Sequence, residues 1–204
     1  MKKILCLAAV ILSTAVIFAQ ELTFQSVCKQ LSLRPNMTGN FTQVKTIKKA
    51  GRELHSSGTF LFSLDGIMWK TLKPFPSTLA VGRTSVIQTM QDGRQTVIDA
   101  SSNRIFTSIS STLSAVFSGN ADALAANFTV RFSADAERWS AILLPKDRTI
   151  ASVLQSITLS GASGTDMNQI VMTEAGGDTI TYRFTDQKYP SELTDAEKSY
   201  FTAK

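Results

Sequence analysis

The stretch that decides the fold is FLFSLDGIMWKTLKPFP, residues 60–76. It places nine large apolar side chains in seventeen positions, and they do not alternate cleanly with polar ones. Asp65-Gly66 is a tight-turn signal between two short runs rich in aromatic and branched residues, which predicts a β-hairpin. A hairpin with one wet face needs apolar residues only on the other. Two readings follow: both faces are buried in a large core, or one face lines an apolar hollow.

Working outward, the same pattern repeats. NFTQVKTIKK (40–49), ELHSSGTFLFS (53–63), STLAVG (77–82), SVIQTM (85–90) and RQTVIDA (94–100) are short strand-like runs, and NRIFTS (103–108) continues them. Ala50-Gly51, Pro74 to Pro76, Gly82 and Asp92-Gly93 fall at the turns. Short strands with tight connections indicate an antiparallel meander. Beyond the middle of the chain, Phe128, Val130 and Phe132 alternate with polar residues, as do Ile180, Tyr182 and Phe184, and Trp139, Ala141 and Leu143 share one face. VLQSITLSG and NQIVMTEA lie between them.

Helical patterns are few. Phe24, Val27, Cys28 and Leu31 recur at helical spacing and predict a short N-terminal helix ended by Arg34-Pro35-Asn36. Residues 109–126 interrupt the strands, with Leu113, Val116 and Phe117 on one helical face, a break at Gly119-Asn120 and a second alanine-rich piece. Such small residues suit a cover rather than a central core helix. Thr194 to Glu197 reads as a capping box opening a last short helix. These pieces predict a mainly β fold of about ten antiparallel strands, strongly curved, with helices on the concave side.

The first nineteen residues pair Lys2 and Lys3 with an uncharged apolar run from Ile4 to Phe18, closed by Ala19. That is the layout of a secretory signal peptide, shorter than a membrane span needs to be. Cleavage after Ala19 is expected, leaving residues 20–204 as a single domain with Cys28 as its one thiol. A single thiol forms no internal disulfide, and Cys28 is read as a small buried apolar residue. The chain has 21 basic and 16 acidic residues, and loss of Lys2 and Lys3 brings the net charge from +5 to +3, an ordinary value.

Candidate chemistry is sparse. The one histidine, His55, is read as a strand-surface residue, and Asp135 and Glu137 as solvated turn residues. No nucleophile elbow, HExxH, CxxC, phosphate-cradling glycine loop or metal-ligand cluster occurs, so no catalytic residue, metal or cofactor is assigned. Lys45, Lys48 and Lys49 form a short basic strand end without interleaved stacking aromatics, which argues against nucleic acid. What remains is apolar bulk. Phe60, Phe62, Ile67, Trp69, Leu79, Phe128, Trp139 and Phe184 are placed on the concave face, either as a packed core or as the lining of a cavity.

The order of GNFTQVKT, SSGTFLFSLDGIMWKTLKPFPSTLAVG, a helical interruption and FTVRFSADAERWSAILLPK resembles the LolA family, the periplasmic carriers of outer-membrane lipoproteins. Phe41-Thr42-Gln43, Gly58, Trp69, Pro74, Gly82 and Leu144-Pro145-Lys146 carry the resemblance. It implies an incomplete, half-closed antiparallel β-barrel with an N-terminal helix and an α-helical lid. By this likeness residues 109–126 belong to the lid, with Leu113, Val116, Phe117 and Gly119 in it, and Phe60, Phe62, Ile67 and Trp69 line a cavity for acyl chains. The implied partners are acylated lipoprotein cargo, an inner-membrane ABC transporter as donor and an outer-membrane acceptor, with the carrier a monomer. One departure stands out: the family's lid-holding arginine has no counterpart in Ser63 to Trp69, and Arg83 and Arg52 are the substitutes considered. Related folds carry or sense glycolipids or phospholipids, which is the alternative reading. The third hypothesis, a secreted hydrolase near His55, has no motif to support it.

Overall fold

A computed structural model describes residues 22–82, 85–99, 111–112, 114–116, 118–162 and 166–202. The expected signal peptide, the NRIFTS strand, Leu113, Phe117 and Arg83 lie outside the described residues.

Eleven strands form one antiparallel sheet in the order β6-β5-β4-β3-β2-β1-β11-β10-β9-β8-β7. They are β1 (Met37–Ile47), β2 (Arg52–Phe62), β3 (Gly66–Lys73), β4 (Ser77–Gly82), β5 (Ser85–Met90), β6 (Gln95–Asp99), β7 (Phe128–Ala134), β8 (Arg138–Pro145), β9 (Leu154–Ala162), β10 (Met167–Glu174) and β11 (Thr179–Lys188). The sheet is not closed: β6 and β7 are its two edges and do not pair. The first six strands step outward from β1 to one edge, and the last five return from the other edge to pair β11 with β1. The chain between Asp99 and Phe128 therefore joins opposite edges of the sheet. The expected lid falls within this connection.

The register sorts the side chains. One row of partners runs Ile98, Val86, Val81, Ile67, Phe62 and Met37 from β6 to β1. Another runs Tyr182, Ile170, Leu159, Ala141 and Phe132 from β11 to β7. A third runs Ile180, Met172, Ile157, Leu143 and Val130 alongside it. With a side-chain period of two, these rows share one face of the sheet. Gly39 sits opposite Phe60, and a Cβ there would come within 2.9 Å of the Phe60 ring, so the missing side chain makes room for the aromatic one.

Helix α1 (Phe24–Ser32) starts at Thr23, whose hydroxyl accepts from the Ser26 amide while Ser26 answers to the Thr23 amide. This capping box satisfies two of the free amides of the first turn. Val27, Cys28 and Leu31 are buried from α1 against the apolar face, and Phe24 packs beside Phe132. Residues 111–112 and 114–116 are helical, and α2 (Ala121–Asn127) follows, capped by the Asn120 side chain on the Ala123 amide at 2.9 Å. Val116 and Leu124 are buried in the same cluster as α1. The expected helices thus lie on the apolar face, with the break at Gly119-Asn120 where the spacing placed it.

Two features depart from expectation. A four-residue helix, α3 (Arg148–Ala151), capped by Asp147, sits between β8 and β9, a stretch that carried no helical periodicity. More consequentially, the opposite face of the sheet is not wholly wet. Leu61, Met68, Ala80 and Ile87 are buried there with Leu193 under the C-terminal segment, which adds Tyr200 and Phe201. That segment contains α4 (Asp195–Lys198), opened by the Thr194/Glu197 capping box, and a 3-10 turn, Ser199–Phe201. Both faces of the 60–76 hairpin are therefore covered around Phe60–Phe62 and Ile67–Met68, by different parts of the chain, while Leu64, Leu72 and Phe75 are exposed.

Candidate functional site

The concave face is built from alternate positions of successive strands. From β2 and β3 come Phe60, Phe62, Ile67 and Trp69; from β11 come Tyr182 and Phe184; from β1 comes Phe41. Phe60 touches Phe62 and Phe184 at ring-centroid distances of 4.8 and 4.7 Å. Phe62 meets Trp69 and Phe184 edge-on at 5.5 Å. Tyr182 closes the group against Trp69 at 5.9 Å and stacks near Phe184 at 6.5 Å. Edge-to-face and tilted contacts of this kind match the aromatic quadrupoles and add to area burial.

The predicted lining residues divide into three sets. Phe60, Phe62, Trp69 and Phe184 form this aromatic group, with Ile67 paired to Phe62. Phe128 and Trp139 are buried on the same face near the β7 edge, among Leu143, Leu159 and Leu124. Leu79 is only half-buried and packs with Val81 and Val86 toward the β6 edge. Sequence reasoning left out Tyr182, Phe41 and Met37, which the register brings into the group; their signal was alternation within β11 and β1.

The cover is held at two points. Gly119 has a left-handed backbone (φ 71°), and a Cβ there would fall 2.8 Å from the Ser32 hydroxyl and 3.4 Å from the Cys28 carbonyl oxygen. The turn thus rests directly on α1. At the other end of α2, the Lys146 amide donates to the Asn127 carbonyl at 2.9 Å and the Lys146 ammonium bonds the Ala125 carbonyl. A cation on the last carbonyls of a helix is favoured by their unpaired partial charge. Cys28 lies beneath this cover, fully buried, and burial pushes its thiol up to about 12.

Of the arginines considered as lid holders, Arg52 is exposed at the start of β2, and Arg83 lies outside the described residues. Arg34 is the arginine that fastens a helix. It pairs with Asp166 at 2.9 Å and lies 4.4 Å over the Tyr189 ring, while the Tyr189 hydroxyl donates to Asp166 at 2.7 Å. This cluster ties the end of α1 to the β10–β11 side of the sheet.

The polar candidates stay apart from the concave face. His55 is exposed on β2, 3.4 Å from Glu53. Asp135 caps its own turn by accepting from the Glu137 and Arg138 amides, and these bonds hold its carboxyl below the usual range. Among the described residues no His, Cys, Asp and Glu group is arranged to hold a metal, and no helix is long and apolar enough to cross a membrane.

A half-open antiparallel sheet, apolar on one face and roofed there by short helices, defines the class of fold. The model of the family described as outer membrane lipoprotein carrier protein LolA matches residues 35–201, and the chain belongs to that family. Comparison with curated proteins gives no match. Among solved structures, it is similar to a LolA superfamily protein from Nitrosomonas europaea (11% identity, 86% of this chain and 97% of that one, TM-score 0.47). It is also similar to an outer membrane lipoprotein-sorting protein domain from Vibrio parahaemolyticus (10%, 87% and 97%, TM-score 0.49). A DUF1329 family protein from Desulfovibrio piger is similar at 9% identity (87% and 94%, TM-score 0.48).

Proposed function

We propose that this protein is a periplasmic carrier that shelters the acyl chains of lipoproteins between its concave sheet and helical cover, and delivers them from the inner to the outer membrane. The observation that carries this reading is the apolar face from Met37 and Phe62 to Phe132, which forms one cluster with Val27 and Leu31 of α1 and with Val116 and Leu124 of the cover. The reading includes export with removal of residues 1–19, a single domain over residues 20–204 and action as a monomer. An ABC transporter in the inner membrane would load it, and an outer-membrane acceptor would unload it.

Each methylene moved from water into such a face contributes about 0.8 kcal/mol. Full burial of an ordinary acyl chain would therefore bind too tightly for hand-off. Lifting the cover uncovers Val116 and Leu124 from α1, and that cost offsets part of the gain.

Delipidated protein should bind an acyl-chain reporter, and inner-membrane vesicles should release lipoprotein only when it is added. Absence of both activities rejects the proposal. The missing arginine between Ser63 and Trp69 favours one second reading, carriage of a glycolipid or phospholipid. Mass spectrometry of material co-purified from the periplasm separates the two: acylated protein supports the first, free lipid the second.

A further inference from the structure

The aromatic group on the concave face contains one polar atom with nothing to bond. The Trp69 indole N–H is sealed from water and has no hydrogen-bond partner among the described residues. The Tyr182 ring lies beside it at 5.9 Å between centroids, and burial pushes its phenol from 10 up to about 12. Folded proteins leave very few such donors unpaired, because each one forgoes the bond it had with water. A tightly packed apolar core would be served better by phenylalanine at position 69. The indole lies in ring contact with Phe62 and Tyr182, and through them next to Phe184.

Resting on the carrier reading, we propose that Trp69, with Tyr182 beside it, receives the carbonyl oxygen of the bound acyl group, so that the site selects acyl esters or amides over bare hydrocarbon. The apolar part of the ligand lies against Phe60, Phe62 and Phe184, and its first polar atom meets the indole N–H. An acyl carbonyl supplies an acceptor next to a hydrocarbon chain, whereas an alkane leaves the donor stranded. The same pairing makes the ring edge a depth stop, fixing how far a chain enters.

The test compares three fluorescent probes on the delipidated protein: cis-parinaric acid methyl ester, its N-methylamide and diphenylhexatriene, which has no acceptor. Trp69→Phe keeps an aromatic ring and removes the donor. The expected result is about a five-fold fall in affinity for the carbonyl probes relative to diphenylhexatriene, the size of one net hydrogen bond. The ester and amide arms show which linkage the site prefers. The indole proton resonance that Trp69→Phe abolishes should move downfield on adding a carbonyl probe and not on adding diphenylhexatriene. An unchanged affinity ratio with an unmoved resonance overturns the inference while leaving the carrier reading intact. Failure of the wild-type protein to bind any of the three overturns both. Thermal unfolding of Trp69→Phe provides the structural control: a single cooperative transition shows that the variant is folded when the affinity ratio is read.

Discussion

The two faces of the sheet bury similar side chains in different ways. On the convex face, Leu61, Met68, Ala80 and Ile87 are closed over by the chain's own last residues, Leu193, Tyr200 and Phe201. That strap is stitched down where the Asn36 side-chain amide donates to the Pro190 and Ser191 carbonyls at 3.2 and 3.1 Å, and where the Thr194/Glu197 capping box opens its helix. On the concave face, among the described residues of the cover, Val116, Ala115, Ala121 and Leu124 join the cluster beside Phe24, Val27 and Leu31 of α1, and an indole donor is unpaired. One face is closed by the chain's own last residues; the other closes over a donor that the proposed acyl group would pair.

Adjacent residues put that contrast to its strongest test. Phe60 and Leu61 are each 1% exposed and point to opposite faces. Phe60→Ala should lose about 3–5 kcal/mol of stability and Leu61→Ala about 2–5 kcal/mol, measured by denaturant unfolding. Acyl-reporter binding should be impaired in the first and retained in the second. If Leu61→Ala, still folded, loses binding as fully as Phe60→Ala, the two faces are not functionally distinct.

The cover is probed next. Gly119→Ala places a Cβ where the backbone is left-handed and against Ser32. The conformation alone costs about 1–2 kcal/mol for an L-residue. The cost should appear as lifting of the turn from α1 rather than as global unfolding. Cys28 reports on this directly. Its thiol stays protonated well above neutral pH and is fully buried, so a disulfide reagent at pH 8 should react slowly with the folded wild-type protein. Gly119→Ala should speed that reaction while far-ultraviolet circular dichroism stays unchanged. Equal rates in the two proteins would mean that the turn does not control access beneath the cover.

Much of this arrangement was legible in the residues, and the exceptions are instructive. Period-two alternation in β7, β8 and β11, and Gly or Asp-Gly at the turns, marked strands because a half-buried strand leaves no other pattern. Phe24, Val27, Cys28 and Leu31 marked α1 in the same way. The ordered motifs from Phe41 to Lys146 carried the family. The double-faced burial of the 60–76 hairpin did not resolve, because Leu193, Tyr200 and Phe201 follow no period and their target lies more than a hundred residues away. Helix α3 is too short for a periodic signal. Register also lies beyond composition: that Tyr182 faces Trp69 follows from the pairing of β1 with β2 and β11, which local pattern does not supply.

The smallest effect expected separates anchoring of α1 from closure of the cover. Arg34 and Asp166 form a 2.9 Å pair, but their side chains are 38% and 40% exposed. Water screens such a pair, so Arg34→Gln should cost at most about 1 kcal/mol, and less again in molar salt. The Tyr189 part of the cluster has its own pH signature. Burial first, and then its bond to Asp166, pushes the Tyr189 phenol from 10 up to about 12. A raised folded value stabilises the protein fully below pH 10, and that contribution is lost as pH rises through 12. Tyr189→Phe should therefore flatten part of the alkaline fall in melting temperature over that window, while Arg34→Gln leaves the rate of Cys28 modification close to wild type. A large rise in that rate would show that the arginine clamp, rather than the turn at Gly119, keeps the concave face closed.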